Sequence, residues 1–238
     1  NLRILVMKRT HDNFYLNETN NTVKDSFIAL ADAIAKKPFF SIGDVGCATG
    51  AFPRYLKERF PKCEIEGIEY MDSLLNKAKI DFPHISFSKG NVLDEKSVTK
   101  KFDVISLSGT LCIFDDYETV LKNVLSWLNP GGRLILANMV NEYDVDVFIK
   151  YSPSNDKYVE TDQEWGWNII SKKSLELVAK KNSAKLISCE DFNVSVDIAK
   201  KKDVMRSWTE KNLSGKRDCY NALHIRQPFK IVVIEKLP

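Results

Sequence analysis

Cysteine is sparse in this chain and shows no pairing pattern. Cys47, Cys63, Cys112, Cys189 and Cys219 are odd in number, far apart and without a C-x-x-C pair. That argues against a disulfide framework and against a zinc site, so no metal is expected and a reducing compartment fits best. No apolar run approaches the roughly 20 residues of a membrane-spanning helix. Residues 1–7 lack the apolar length and small-residue cleavage site of a signal peptide. The expectation is a soluble cytoplasmic protein with no membrane partner. Charge of one sign is missing too. The 35 basic and 32 acidic residues leave a net +3, too little to call for a nucleic-acid partner. Short clusters such as Lys200-Lys201-Lys202 read as solvated surface. Internal repeats and low-complexity linkers are absent as well.

What is present is ordinary globular material. At 238 residues, 44% hydrophobic and 28% charged, the chain suits one α/β domain with a well-buried core. Helical spacing of Val23, Phe27, Ile28, Leu30, Ala31 and Ile34 predicts a helix over 23–36. Pro38 separates it from a strand at 39–42. A helix over 51–60, a strand over 65–70 and a helix over 72–80 with Asp72 as its N-cap follow. A short strand at 85–87, a strand at 102–107 and a helix at 117–128 come next. Asn129-Pro130-Gly131-Gly132 is expected to stop that helix before a fifth strand at 133–138. Asp115-Asp116 reads as the cap of the helix that starts near Tyr117. Such alternation predicts a parallel sheet with both faces covered. Beyond 140 it loosens. An aromatic and polar stretch fills 141–170, a helix is expected over 174–181, and a strand at 185–189. A polar excursion at 197–227 and a closing strand at 229–234 complete the chain.

The most informative run is Ser41-Ile42-Gly43-Asp44-Val45-Gly46-Cys47-Ala48-Thr49-Gly50. It reads as a strand end, an acid, a glycine turn and a helix start. Glycines at 46 and 50 allow a tight turn and close ligand approach, with helix N–H groups facing the ligand. A dinucleotide turn aims that helix end at a pyrophosphate, which a carboxylate would repel. Asp44 therefore suits a ligand carrying positive charge.

With its acid-x-Gly-x-Gly-x-Gly turn, the chain resembles the class I S-adenosylmethionine (SAM)-dependent methyltransferases, with Ala48 at the middle glycine. The resemblance covers residues 38–140 well and the remainder by element order. It implies a Rossmann-like, doubly wound seven-stranded sheet, mostly parallel with an antiparallel C-terminal strand, and helices on both faces. It implies SAM as cofactor, leaving as S-adenosylhomocysteine. Asp44, Gly46, Cys47, Ala48 and Gly50 would hold the methionine part. Glu69 would accept hydrogen bonds from both ribose hydroxyls, and Tyr70 and Met71 would lie along the adenine. Asn91 and Val92 would contact the adenine edge. Leu107, Ser108 and Gly109 would bring backbone carbonyls to the ammonium. Singly, these residues have plainer readings: Asp44 as a helix cap, Glu69 as a charged strand end, Asn91 as a turn, Cys47 as a packed side chain.

The single domain divides into an N-terminal cap (1–37), the SAM-binding core (38–140), an insertion lining the acceptor pocket (141–170) and the end of the sheet (171–238). His11, one of three histidines, is the candidate base in the dense run Lys8 to Tyr15, and Tyr143 is the second catalytic candidate. His224 ranks below His11. Arg9, Tyr15, Asn138, Trp165 and Trp167 are candidate substrate contacts. The expected reaction is methyl transfer to an oxygen or nitrogen of a small-molecule acceptor. The loop after the fourth strand matches neither the nucleic-acid amino methyltransferases, nor the arginine methyltransferases, nor the magnesium-dependent catechol type. A fainter resemblance, carried by residues 9–15 and Trp165-Gly166-Trp167, is to bacterial enzymes of capsule modification such as O-methyl phosphoramidate synthesis. A phosphorylated or acidic acceptor would find cations in Lys8, Arg9 and Arg226. The competing readings are a catalytically silent SAM-binding module or partner subunit and an NAD-dependent oxidoreductase. A monomer or homodimer is expected.

Overall fold

A computed structural model describes residues 10–17, 23–152, 154 and 163–238. Its central sheet has the order β3-β2-β1-β4-β5-β12-β9. The parallel part is β1 (Ser41–Val45), β2 (Glu64–Glu69), β3 (Ser86–Lys89), β4 (Phe102–Ser108) and β5 (Leu128–Asn141). The final strand, β12 (Phe229–Lys236), runs antiparallel to both β5 and β9 (Ala184–Asp191). The seven-stranded, mostly parallel sheet with its antiparallel closing strand is thus present. Helices α1 (Asp25–Ala35), α2 (Ala51–Arg59), α3 (Asp72–Asp81), α4 (Tyr117–Ser126) and α5 (Lys172–Lys181) flank it.

Two cores lie on opposite faces. Leu107, Leu125, Trp127, Leu136 and Leu175 pack under α4 and α5. Phe27, Leu30, Ile34, Phe52, Leu56 and Ile135 pack under α1 and α2. Strand residues alternate between these faces, which is why β4 and β5 read as continuous apolar runs.

Several boundaries move, each for a local reason. The first strand begins at Ser41 and not at 39. The Asp103 carboxylate accepts the N–H groups of Phe40 and Ser41 at 2.8 and 3.1 Å, and Phe40 itself is 83% exposed. The strand then runs through Asp44, paired on both sides with Gly67 and Ser106. Met71, not Asp72, is the N-cap of α3; Asp72 is its first residue and pairs with Lys89. Asp116 does cap α4, accepting the Thr119 N–H at 3.1 Å. Asn129 to Gly132 lie inside β5, after the helix has ended, with Gly131 at φ +73° and a register shift opposite Phe102 and Val104. The segment is a bulge, not a helix stop.

Short elements carried no periodic signal. Within 141–170 the pair β6 (Lys150–Tyr151) and β7 (Glu164–Trp165), and β8 (Ile170–Ser171) alongside β5, were not expected. The excursion at 197–227 contains a hairpin, β10 (Trp208–Lys211) and β11 (Arg217–Tyr220), turning at Gly215 with φ +77°. Asp146 pins the 141–170 segment to the body. Its carboxylate accepts from Tyr117 Oη, Ser171 N and Ser174 Oγ at 2.8, 2.6 and 2.8 Å. Burial alone would push Asp146 up, but these hydrogen bonds outweigh it and hold the group below the ordinary carboxylate range.

Arg133, 4% exposed, closes the other face. Its guanidinium donates to the carbonyls of Ala33, Ile34 and Lys37 at 3.3, 3.1 and 3.0 Å. Ala33 and Ile34 are in the last turn of α1 and Lys37 follows its C-cap, where a cation complements the negative end of the helix dipole. Arg133→Met keeps the aliphatic stem and removes the donors, and is expected to cost about 2–4 kcal/mol. Urea unfolding of the variant and parent measures this; an unchanged midpoint would show that α1 needs no such cap.

Candidate active site

The carboxyl ends of β1, β2 and β4 meet in one small region. Asp44, next to last in β1, is 3% exposed. Ser106 stands opposite it on β4 and donates its hydroxyl to Asp44 Oδ1 at 2.7 Å. Burial pushes the Asp44 carboxyl up to about 7; the Ser106 hydrogen bond opposes the shift and the charge of Glu69 adds to it.

The loop after β1 is bound to β2. Gly46 and Cys47 donate to the Ile68 carbonyl at 2.8 and 3.2 Å. Three residues take left-handed backbone angles: Gly46 (φ +74°), Ala48 (φ +49°) and Gly50 (φ +84°). A side chain at Gly46 would run into Thr110, and one at Gly50 would stand 2.8 Å from the Phe87 ring. Both glycines serve the turn and its packing, since the side of each that a Cβ would occupy is filled by protein. Open space lies instead at Gly109, φ +67°, where a Cβ would meet nothing within 4 Å among the described residues.

Glu69, 7% exposed at the end of β2, joins these parts. Oε2 accepts the Ala48 N–H at 2.9 Å, and Oε1 accepts those of Tyr70 and Met71 at 2.8 Å each. Its first task is to hold the glycine loop and the entry to α3. Tyr70 is exposed, with Lys89 Nζ 5.9 Å from its ring centre.

The remaining cofactor candidates are placed as follows. Asn91 makes an Asx turn: its Oδ1, the atom expected to meet adenine, accepts the Leu93 N–H at 3.0 Å. Val92 is buried in the core and its carbonyl accepts Asn123 Nδ2 at 2.8 Å. Leu107 is buried, and Ser108 ends β4 opposite Ala137. The Gly109 carbonyl accepts Cys112 Sγ at 3.2 Å. Cys47 is packed, and burial, with Asp44 and Glu69 nearby, pushes its thiol well above its ordinary value. It stays protonated, which matches its plainer reading.

Of the candidate substrate contacts, Tyr15 and Trp167 come together through Arg206, which carries no signal in the sequence. The Arg206 guanidinium lies 5.0 Å from the Tyr15 ring centre, 5.9 Å from that of Trp167 and 4.6 Å from that of Phe14. The 3-10 turn Thr10–Asn17, which carries the two N-terminal rings, also packs on α3. Trp165 is elsewhere, under Lys150 Nζ at 4.6 Å. Tyr143 is 80% exposed. Asn138 is 1% exposed; its Nδ2 donates to the Met139 carbonyl at 3.0 Å, and its Oδ1 has no hydrogen-bond partner among the described residues. It stands opposite Lys230, and alternation places it with Leu136 and Val140 on the α5 side of β5. Lys8, Arg9 and the His11 side chain lie outside the described residues. Arg226 is bound to Asp218 at 2.9 Å, and the His224 ring stands edge-on to Trp208. Ser106 and Arg206 were missed because only register reveals the first, and the second follows a lysine-rich run that reads as surface.

Residues 18–188 match the methyltransferase-domain family profile. The chain belongs to the class I SAM-dependent methyltransferases. Demethylmenaquinone methyltransferase of Deinococcus radiodurans is 34% identical over 112 residues, 45% of this chain and 46% of the relative. Malonyl-[acyl-carrier protein] O-methyltransferase 1 of Ilyobacter polytropus is 26% identical over 168 residues, 66% of this chain and 57% of the relative. The chain thus spans about half the length of the curated relatives it matches. The SAM-bound amino pentose methyltransferase CalS10 of Micromonospora echinaspora shares the fold, with a TM-score of 0.57 at 14% identity, covering 97% of this chain and 98% of that one.

The cofactor of this family is SAM, and the residues present fit it. A buried acid with one neutral partner is complementary to a cation, and the Gly109 opening lies one residue beyond the end of β4. The same acid has a measurable cost. Folded Asp44 titrates near 7 and unfolded Asp44 near 3.8, so between these values the native state holds the extra proton. Stability from this group is fully present below pH 4 and is lost as pH rises through 7, a swing on the order of 4 kcal/mol. Asp44→Asn is expected to unfold at higher urea than the parent at pH 8 and to match it at pH 4. Parallel pH profiles for the two proteins would show that Asp44 is not desolvated.

Proposed function

We propose that the chain is a SAM-dependent methyltransferase that moves a methyl group to an oxygen or nitrogen of a small-molecule acceptor. The observation that carries this reading is the buried Asp44–Ser106 pair beside the Glu69-bound glycine loop. When bound, SAM supplies a sulfonium methyl that a nucleophile attacks in line, leaving S-adenosylhomocysteine. The protein's part is placement. Asp44 would face the positive methionine end, Glu69 the ribose, Tyr70 and Met71 the adenine, and Gly109 would admit the cofactor backbone closely. Holding donor and acceptor aligned is worth roughly 7–11 kcal/mol in favourable cases.

The relatives' names cover a demethylmenaquinone and a malonyl-[acyl-carrier protein], so likeness supports methyl transfer without choosing the acceptor's chemistry. A phosphorylated or phosphoramidate capsule precursor is a finer proposal that rests on resemblance at residues 9–15 and 165–167. His11 is proposed as a base on the turn that packs on α3, and Tyr143 as the second catalytic candidate. Among the described residues no helix is long and apolar enough to cross a membrane, and all five cysteines are free; we place the enzyme in a reducing cytoplasm on the second ground.

Calorimetry with SAM and with NAD tests the cofactor, and release of S-adenosylhomocysteine with a panel of acceptors tests the chemistry. Binding of NAD alone would sink the reading, and tight SAM binding without product from any acceptor would leave a silent module. Glu69→Ala is expected to weaken SAM by about 1.5–3 kcal/mol. Because a cation beside Asp44 favours its ionised form, SAM binding at pH 6.5 should release protons in the parent and none from this group in Asp44→Asn. Titrations in buffers of different ionisation enthalpy read that release.

A further inference from the structure

Gln227 immediately precedes Pro228 and β12, and it is 5% exposed. Its backbone N–H donates to the Cys219 carbonyl at 2.8 Å, and its carbonyl accepts the Phe229 N–H at 2.9 Å. Its side-chain Oε1 accepts the Ser207 hydroxyl at 2.7 Å. That bond orients the amide and turns its NH2 away from Ser207. There Nε2 is buried with no hydrogen-bond partner among the described residues. A native fold rarely leaves such a donor unmatched, since each costs about 1–3 kcal/mol. An oxygen from outside the chain would match it.

The surroundings say which kind of oxygen. Ser207 follows Arg206, whose side chain is 11% exposed and whose Nε donates to Asp203 at 3.1 Å. The Phe14 and Tyr15 rings beside Arg206 also carry Lys201 Nζ at 4.7 Å and Lys24 Nζ at 5.8 Å. Arg206, Lys201 and Lys24 thus bring cationic groups to this rim, Asp203 stands with Arg206, and Asp25, next to Lys24, is turned to Ser195. Below the rim, Trp167 packs in a cluster with Met139, Ile225 and Phe229, and the last two flank Gln227 in sequence. An aromatic and cationic rim, an apolar wall and an unmatched amide donor therefore meet where β5 ends and β12 begins.

We propose that Gln227 and Arg206 together hold a carboxylate of the methyl acceptor. The inference rests on the methyltransferase reading and names a carboxylate substrate class in place of the phosphorylated precursor. One amide donor and a guanidinium already shared with Asp203 suit a single negative charge better than a phosphate dianion. The carboxylate serves as the acceptor's handle, gripped through charge-assisted hydrogen bonds, and the apolar wall covers the carbon skeleton.

Calorimetry on the S-adenosylhomocysteine complex tests this with the linear dicarboxylates from malonate to adipate, their diamides, and phosphate monoesters of matching length. The expected result is that at least one dicarboxylate binds ten-fold or more tightly than its diamide and phosphate counterparts. Gln227→Glu, which keeps Oε1 for Ser207 and sets a negative charge in place of the donor, should weaken that dicarboxylate at least ten-fold with SAM affinity unchanged. Gln227→Met, which removes the donor without adding charge, should weaken it three- to ten-fold. Equal binding of acids and diamides, tighter binding of phosphates, or full dicarboxylate affinity in Gln227→Glu would each overturn the proposal. So would SAM binding with no dicarboxylate bound. Failure of the parent to bind SAM at all is a different result, and it would remove the methyltransferase reading itself.

Discussion

The Glu69 carboxylate is the tie on which the site depends. Its two oxygens accept three backbone N–H groups, from Ala48 on one side and from Tyr70 and Met71 on the other. One side chain thereby sets the distance between the loop after β1 and the start of α3. Hydrogen bonds to a charged acceptor are stronger than neutral ones, and here they add to the bonds from Gly46 and Cys47 to the Ile68 carbonyl. Ala48 is held in a left-handed conformation that a β-carbon disfavours by roughly 1–2 kcal/mol. The Glu69 bond to its N–H is what keeps it there. Strain stored beside a ligand site is a recurrent feature of functional loops.

Asp44 shows the same trade in electrostatic form. Its carboxyl is buried between β2 and β4 with a neutral hydroxyl as partner and a second acid nearby. In the free chain that arrangement works against folding above pH 4. A positive group beside the carboxyl would reverse that cost by supplying the charge the protein withholds, while the rest of the sheet is a conventional apolar core.

The two halves of the site are built differently. The cofactor half stands on strand ends and backbone hydrogen bonds, so its geometry follows from the sheet. The side we propose for the acceptor is assembled from three distant segments, around residues 14–15, 167 and 203–207, gathered about the Arg206 guanidinium. A planar cation that stacks on several rings can join segments sharing no secondary structure. The 3-10 turn that carries Phe14 and Tyr15 also rests on α3, so it links the two halves. Folds of this kind vary their acceptors by changing such outer segments and keep the strand ends.

The sequence by itself determined the alternation of strands and helices, the parallel core with its closing strand, and the acid-and-glycine turn. Each depends on local signals: periodicity of apolar residues, turn residues, and an acid at a strand end. Asp44, Glu69 and the Gly46–Gly50 loop were legible for that reason. Only the tertiary structure decided what those residues touch. Ser106 reaches Asp44 because β4 and β1 lie in one register, and Arg133 caps α1 from about a hundred residues away. The glycines at 46 and 50 are required by Thr110 and Phe87, which no local pattern couples to them. Arg206 and Gln227 lie in a polar stretch of the chain, and in the fold the first is half-buried and the second buried, because an isolated polar residue carries no sign of what will pack against it.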